Sequence, residues 1–496
     1  MEKLNTDILV IGAGPGGYAA AFYAADMGKK VILVEQDQNL GGVCLNRGCI
    51  PSKALLRATH LIRETDHSST MGITFVKPKV DINTMRAWKN AVITKLAGGI
   101  SQLAAKRKVE VIRGRAHFED SKTVRIEVAG EGQKFINFQK TIIATGSKPA
   151  LPREFDLGNP RVMTSTEALD LEDVPEDLLI IGGGYIGIEL GTVYATLGSK
   201  VTVVEALDEI LRGADQDLLR PVKKYIESAF KEVRTSTKVQ KIATSGKKIQ
   251  VTTETNGEKR EELYDRVLVS IGRVPNCDDL GLKNTKVTRD SKGFIEVNDQ
   301  MQTADSGIYA IGDVVGGMML AHKASKEARI AVEVIIGEHS TFKNVFIPAV
   351  VFTDPEIAWV GLTEDEARAK NIPVQVAKFP WGALGRAVSY ERVDGMTKII
   401  VEPETERVLG VGIVGVGAGD LIGEAVLALE MGASVRDIAE AVHPHPTFSE
   451  SMMESAELFY GHSTHVILTK REPAPATETE TETETETETD AEPVAS

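Results

Sequence analysis

The sequence predicts an α/β protein in which two similar parallel-sheet units are followed by a smaller domain of mixed helix and strand. Three observations carry that expectation. A strand, glycine turn, helix, strand and acid follow one another at the N-terminus; the same unit recurs 170 residues later; and after about Phe346 the chain turns to short alternating runs. With 496 residues there is length for about three domains, each burying its own core.

In the first unit, Asp7-Ile-Leu-Val-Ile11 reads as a buried strand. It runs into Gly12-Ala-Gly14-Pro-Gly-Gly17, then an alanine-rich helical stretch to Gly28, then the strand Val31–Val34 and Glu35. Glycines at 12, 14 and 17 let a backbone turn tightly and approach a pyrophosphate at a helix N-terminus, and the acid is placed for ribose hydroxyls. The second unit repeats each part: Leu178–Ile181, then Gly182-Gly-Gly184-Tyr-Ile-Gly187, a helix to Gly198, Val201–Val204 and Glu205. Preserved spacing across the whole unit indicates two dinucleotide sites, the competing reading being that one copy is a vacant remnant.

Between the units lies Gly41-Gly-Val-Cys44-Leu-Asn-Arg-Gly-Cys49-Ile-Pro-Ser-Lys53, which holds two of the chain's three cysteines. Pro51 stands where a helix begins, since a first helical turn tolerates a missing N–H. That puts Cys49 near a positive helix end, which lowers a thiol pKa. A redox disulfide fits; so do two buried thiols or half of a zinc site, although Cys277 alone remains to complete a tetrad. No metal is expected. The cysteine pair closely follows the first unit, so the redox cofactor there is expected to be the flavin of FAD and the second unit to hold a nicotinamide. Glu205 repels a 2′-phosphate, which favours NAD, with Arg212 as the one basic residue nearby.

Three further stretches fit a flavoprotein whose NAD domain is inserted into its FAD domain. They are Thr141–Pro149, containing Thr145 and Gly146; Val267–Pro275, containing Gly272; and Thr303–Asp313, ending in Gly312-Asp313. Thr145, Gly146, Gly312, Asp313 and Ala321 are candidate FAD contacts, and Gly272 a candidate NAD contact. The boundaries expected are 1–148 and 276–345 for the FAD-binding domain, 149–275 for the NAD-binding domain, 346–471 for an interface domain and 472–496 for a tail.

In the third domain Val350–Gly361 reads as a strand, Met396–Val401 and Leu409–Gly415 as a hairpin pair, and Leu421–Met431 as a helix. His443-Pro-His445-Pro-Thr-Phe-Ser-Glu450 offers a histidine and a carboxylate to orient it, the pattern of an acid–base pair, although a surface loop with two histidines has the same letters. The tail, Thr-Glu repeats without aromatics, reads as disordered and acidic. Its nine acids supply most of the net charge of −14, and this balance argues against nucleic acid as a partner. No apolar run is long enough for a membrane span, and three cysteines in so long a chain suit a reducing compartment, so a cytoplasmic location is expected.

The cysteine stretch, the paired nucleotide units, Gly312-Asp313 and the His-x-His-Pro-Thr-x-x-Glu ending closely resemble the dihydrolipoyl dehydrogenases, a branch of the pyridine nucleotide–disulfide oxidoreductases. The resemblance spans residues 5–470. It implies two Rossmann-like FAD/NAD-binding domains with a C-terminal α+β dimerisation domain. The implied activity is NAD-dependent oxidation of dihydrolipoamide carried on lipoyl domains, in a homodimer docked to the acyltransferase core of a 2-oxo acid dehydrogenase complex or serving glycine cleavage. By position, Cys44 would exchange with substrate and Cys49 face the flavin; Lys53 and Glu189 would pair near its reacting nitrogen; His445 and Glu450 would serve the other subunit's disulfide. Val43, Arg47 and Pro444 depart from the family pattern. Mercuric and large thioredoxin reductases would need a C-terminal cysteine pair, whereas none follows Cys277; a soluble transhydrogenase would lack the Cys44–Cys49 pair. A glutathione reductase would want basic residues where Glu205 stands, which leaves glutathione-type reduction as runner-up and a non-catalytic scaffold as the reading from another class.

Overall fold

Apolar, β-branched runs such as Val31–Glu35, buried along their whole length, cannot face water on either side and become interior strands of parallel sheets. The computed structural model describes residues 2–467; the tail expected over 472–496, and the last residues of 346–471, lie outside them. In the first sheet, Glu110–Arg113, Val31–Glu35, Glu2–Ile11 and Gly132–Ile143 run parallel in that order, with Ile308–Ala310 added alongside Gly132–Ile143. Thr123–Val128 and Arg115–Asp120 continue it antiparallel. Register Ile8↔Val31 through Ile11↔Val34 brings the first glycine turn to the C-terminal end of two strands, where open α/β sheets bind their ligands.

A second parallel sheet has the order Glu232–Arg234, Lys200–Val204, Asp177–Ile181, Arg266–Val269, Val162–Met163. The chain enters and leaves this region through one antiparallel ribbon, Ser147–Pro149 against Arg273–Pro275. The third sheet is antiparallel: Ala349–Val351, Glu356–Gly361, Val408–Gly415, Met396–Val401, Gln375–Pro380. Helix Ala418–Met431 packs on it, and Trp381, fully buried, donates from its indole to Thr397 Oγ1 at 3.0 Å. The continuous strand expected over Val350–Gly361 is broken at Phe352–Pro355. Pro355 has no N–H for a ladder, and the Asp354–Pro355 bond is cis.

Two ion-pair clusters fasten this third sheet to the others. Lys398, 1% exposed on Met396–Val401, has its Nζ 2.5 Å from Asp215 Oδ2, 2.8 Å from Asp217 Oδ1 and 2.8 Å from Glu364 Oε1. Lys378 pairs with Asp217 and Glu364 at 2.7 Å each, so three carboxylates surround two ammonium groups. In the other cluster, Asp354 pairs with Arg392 and, at 2.9 Å, with Arg63 of helix Cys49–His67. Among the described residues no helix is long and apolar enough to cross a membrane.

Candidate active site

The two glycine turns are built alike. Gly12 and Gly182 have φ of +98° and +106°, and a Cβ on either would lie 2.4 Å from Ala144 O or 2.5 Å from Ser270 O. A Cβ on Gly17 or Gly187 would strike the carbonyl of Gly12 or Gly182, at 1.8 and 2.3 Å. At Gly14 and Gly184, the residues capping helices Pro15–Asp26 and Tyr185–Leu197, a Cβ would meet no more than Gly42 Cα at 4.0 Å and nothing, respectively. Two glycines thus close helix on strand while the third leaves room in front of a helix N-terminus, which suits a pyrophosphate. The acids repeat the symmetry. Glu35 accepts from Ala13 N at 2.7 Å and Asp37 N at 2.9 Å; Glu205 accepts from Gly183 N at 2.7 Å and Leu207 N at 2.8 Å. Burial pushes the Glu35 carboxyl above its usual range, against those two amides.

A cavity of about 290 Å³ begins at the first turn and is walled by Gly12, Gly14, Glu35, Thr145, Gly146, Gly312, Asp313 and Ala321. Thr145 Oγ1 is buried there without a partner, an orphan that a ligand hydroxyl or phosphate would satisfy. Gly312 N donates to Glu327 at 2.7 Å, and Glu327 is paired with Lys323 at 2.6 Å, so a buried ion pair fixes the backbone that presents Asp313. Asp313 accepts from Ser147 Oγ, which accepts in turn from Arg273 Nε at 2.7 Å. Gly272, at φ +123°, turns the chain into that arginine. This donor set, open at its glycines and bounded by a ribose-directed acid, fits FAD.

The cysteines line the same cavity. The short helix Gly42–Arg47 carries Cys44, the chain bends at Gly48, and Cys49 opens helix Cys49–His67 with Pro51 in its first turn. A Cβ on Gly42 would lie 2.6 Å from Gly14 Cα, so the thiol segment begins against the nucleotide turn. Hydrogen bonding from Cys44 lowers the Cys49 thiol to about 7, burial opposing and the Lys53 ammonium assisting; the same bond drives Cys44 far upward. Lys53 Nζ is 2.7 Å from Glu189 Oε2, and Glu189, almost wholly buried, also accepts from Ser52 Oγ at 2.9 Å. Tyr185, Ile186, Glu189 and Leu190 reach this cavity from the helix that starts at Gly184, which brings the second nucleotide unit up to the thiols. Burial raises the Tyr185 hydroxyl to about 12. Cys277 lines the cavity too, its buried thiol raised by desolvation and bonded to Gly293 O at 3.4 Å.

His445 and Glu450 meet each other and not the cysteines. His445 Nδ1 lies 2.8 Å from Glu450 Oε1, and Glu450 Oε2 accepts from Thr447 N at 2.7 Å. Neither residue lines the cavity, and the imidazole is 70% exposed. The His445–Pro446 bond is cis. His443 is bonded instead to Glu424 at 2.9 Å and Ala441 O at 2.8 Å. Beside Glu205, Arg212 is taken by Asp208, and Arg234 by Glu232 and Glu262, so neither guanidinium is free to meet a phosphate there.

Sequence reading missed Ser52, Phe352, Arg273, Lys323 and Glu327. Ser52 beside Lys53 and the i,i+4 pair Lys323–Glu327 had local signals; Phe352 and Arg273 act through partners far away in the chain.

The chain matches the model of the pyridine nucleotide-disulphide oxidoreductases over residues 6–328 and that of their dimerisation domain over 347–456. It is 45% identical to the dihydrolipoyl dehydrogenase of Vibrio parahaemolyticus over 468 residues, covering 93% of this chain and 97% of that one. It is also 45% identical to that of Geobacillus stearothermophilus over 464 residues, covering 94% and 98%. Among solved structures, LpdA from Mycobacterium tuberculosis superposes with a TM-score of 0.86 at 26% identity, covering 92% of this chain and all of that one. The HOCl-induced flavoprotein disulfide reductase RclA of Escherichia coli gives 0.83 at 28%, with the same coverage. Fold, paired nucleotide units, thiol pair and near full-length identity lead to one conclusion: the chain belongs to the pyridine nucleotide-disulphide oxidoreductase family, in the branch of the dihydrolipoyl dehydrogenases.

Proposed function

We propose that this chain oxidises protein-bound dihydrolipoamide to lipoamide and reduces NAD+ to NADH, using FAD and a Cys44–Cys49 redox pair. The observation that carries the reading is the placement of Cys49 beside Lys53 in the cavity that starts at the first glycine turn. Gly12, Gly14, Gly17, Glu35, Thr145, Gly146, Lys53, Gly312, Asp313 and Ala321 hold FAD in this account; Gly182, Gly184, Gly187, Glu205 and Gly272 hold NAD. FAD, when bound, supplies two-electron transfer between the dithiol and NAD+.

The side chains do the rest. Glu450 fixes Nδ1 of His445, leaving Nε2 to take a proton from a substrate thiol. The substrate thiolate attacks Cys44, breaking the Cys44–Cys49 bond and forming a mixed disulfide; the second substrate thiol then closes lipoamide and releases Cys44. Cys49 leaves as a thiolate, stabilised by the Lys53 charge; Cys44, released by the second substrate thiol and taking that thiol's proton, then donates to it. Glu189 keeps that lysine in place.

His445 acts in this account on the disulfide of a second copy, because its exposed imidazole lies outside the lining of its own chain's cavity. A homodimer is supported by the matched dimerisation domain and by exposed apolar residues on both sides of the Thr70–Glu391 contact: Met71, Ile73 and Phe75, then Val388, Tyr390 and Val393. In this reading 1–148 with 276–345 bind FAD, 149–275 binds NAD and 346–471 forms the interface, a division supported by the separate sheets; the protein works in the cytoplasm with lipoyl domains and the acyltransferase core of a 2-oxo acid dehydrogenase complex or with glycine cleavage.

The purified flavoprotein tests this directly: NADH formed from dihydrolipoamide and NAD+ is expected, with no comparable reduction of glutathione disulfide. The reverse pattern would overturn the substrate assignment.

A further inference from the structure

Glu189 receives three donors, and the third comes from the break between two strands of the third sheet. Besides Ser52 and Lys53, the backbone N–H of Phe352 reaches Glu189 Oε1 at 3.1 Å. The Phe352 ring also lies against the lysine, with Nζ 4.5 Å from its centroid, within cation–π range. Two residues on, Asp354 is tied by Arg63 to the same helix that carries Cys49 and Lys53, and by Arg392 to the loop that precedes strand Met396–Val401. Arg63 also donates to Thr196 Oγ1 at 3.2 Å, on the helix that carries Glu189. The stretch Phe352–Asp354, where the expected strand is interrupted, is therefore pinned at both ends across the two helices that hold the Lys53–Glu189 pair.

Nothing in the thiol motif requires that arrangement. Lys53 and Glu189 already pair at 2.7 Å, yet the lysine side chain remains one-third exposed, open to rotamers that carry its charge into the cavity. A ring face removes that freedom without adding a competing charge.

We infer that Phe352 is a positioning residue for the thiol chemistry: its ring and backbone N–H, delivered by the third sheet, hold Lys53 and Glu189 in the geometry that keeps the lysine charge beside Cys49. The inference rests on the reading of Cys49 as the thiol that Lys53 activates.

The titratable groups that interact with Cys49 are Cys44, Lys53, Glu189, Tyr18 and Tyr185. Of these, Lys53 is the one that Phe352 touches through its ring. The test follows alkylation of the dithiol, flavin-loaded enzyme by iodoacetamide as a function of pH. Phe352→Leu, or Phe352→Met should leucine load flavin poorly, is expected to move the midpoint upward by about half a pH unit, the equivalent of a weak cation–π contact. Phe352→Tyr, which keeps a ring, is expected to restore the parental profile. In a Lys53→Met background, where the midpoint is already raised, Phe352→Leu is expected to add nothing. A parental midpoint in both ring-less variants would overturn the inference, as would an equal further shift without the lysine. If Lys53→Met itself leaves the midpoint in place, the thiol–lysine reading fails first and takes the inference with it.

Discussion

His445 Nδ1 is held 2.8 Å from the Glu450 carboxylate while the rest of the imidazole stands in the open, away from the cavity that contains Cys44 and Cys49. A base so oriented, outside the cavity that holds its own chain's thiols, makes sense when a second copy supplies the thiols.

In the dithiol enzyme, one thiol is expected to react with iodoacetamide with a midpoint near 7, because Cys44 donates to Cys49 and Lys53 adds its charge. The depressed thiol is protonated as pH falls through that midpoint, so reactivity appears above it and is lost below. Cys44→Ala removes the donor and is expected to shift the midpoint upward, while Cys49→Ser should abolish the reactive thiol. An unshifted midpoint in Cys44→Ala would show that the pair is not coupled.

NAD+ is expected to outperform NADP+ by a wide margin in kcat/KM. In the proposed NAD site Glu205 would meet the ribose and oppose a 2′-phosphate, and the nearby Arg212 and Arg234 are committed to carboxylates. Glu205→Ala should narrow the gap, chiefly by weakening NAD+, since the same carboxylate braces Gly183 N and Leu207 N. Equal efficiency with both nucleotides in the parent would contradict the assignment.

How much of this was legible beforehand varied with the physics. Gly12, Gly17, Gly182 and Gly187 could be read because a side chain there collides with backbone, so the spacing itself records the turn. The helix beginning at the second cysteine was readable from Pro51 and the apolar run behind it. The Lys53–Glu189 pair has no local signature, as its members are 136 residues apart; family resemblance alone brought them together. Phe352 and Asp354 sat inside what looked like an unbroken strand. Lys398 read as one polar residue in an alternating strand, yet it is buried among carboxylates from Asp215, Asp217 and Glu364. Interactions between distant elements leave no periodicity to find.

That lysine offers a stability test. Lys398→Met strands three carboxylates beside a single remaining ammonium and is expected to cost roughly 3 kcal/mol, since breaking a buried pair leaves an uncompensated charge. Lys378→Met, at a half-exposed position, should cost under about 1 kcal/mol. Thermal unfolding of the flavin-loaded protein measures both, and equal shifts would contradict the account of the junction.

Acid stability probes the other junction. Burial alone would raise the Asp354 carboxyl, but Arg392 and Arg63 outweigh it and hold it below the ordinary range. A depressed carboxyl stabilises the fold above its unfolded value, about 3.9, and that contribution is lost as pH falls further. Asp354→Asn is expected to lower the unfolding midpoint at neutral pH and to flatten its fall below about pH 4. A variant as steeply acid-sensitive as the parent would assign the slope to other groups.

The shared site is tested most directly by complementation. His445→Gln and Cys44→Ser homodimers are each expected to lose most lipoamide turnover while retaining FAD. Mixed dimers of the two variants contain one site in which an intact Cys44–Cys49 pair faces an intact His445, so activity should return to about half that of the parent on a per-dimer basis, the expectation for two independent sites. Properly formed mixed dimers with no more activity than either homodimer would place the base in its own subunit and contradict the account.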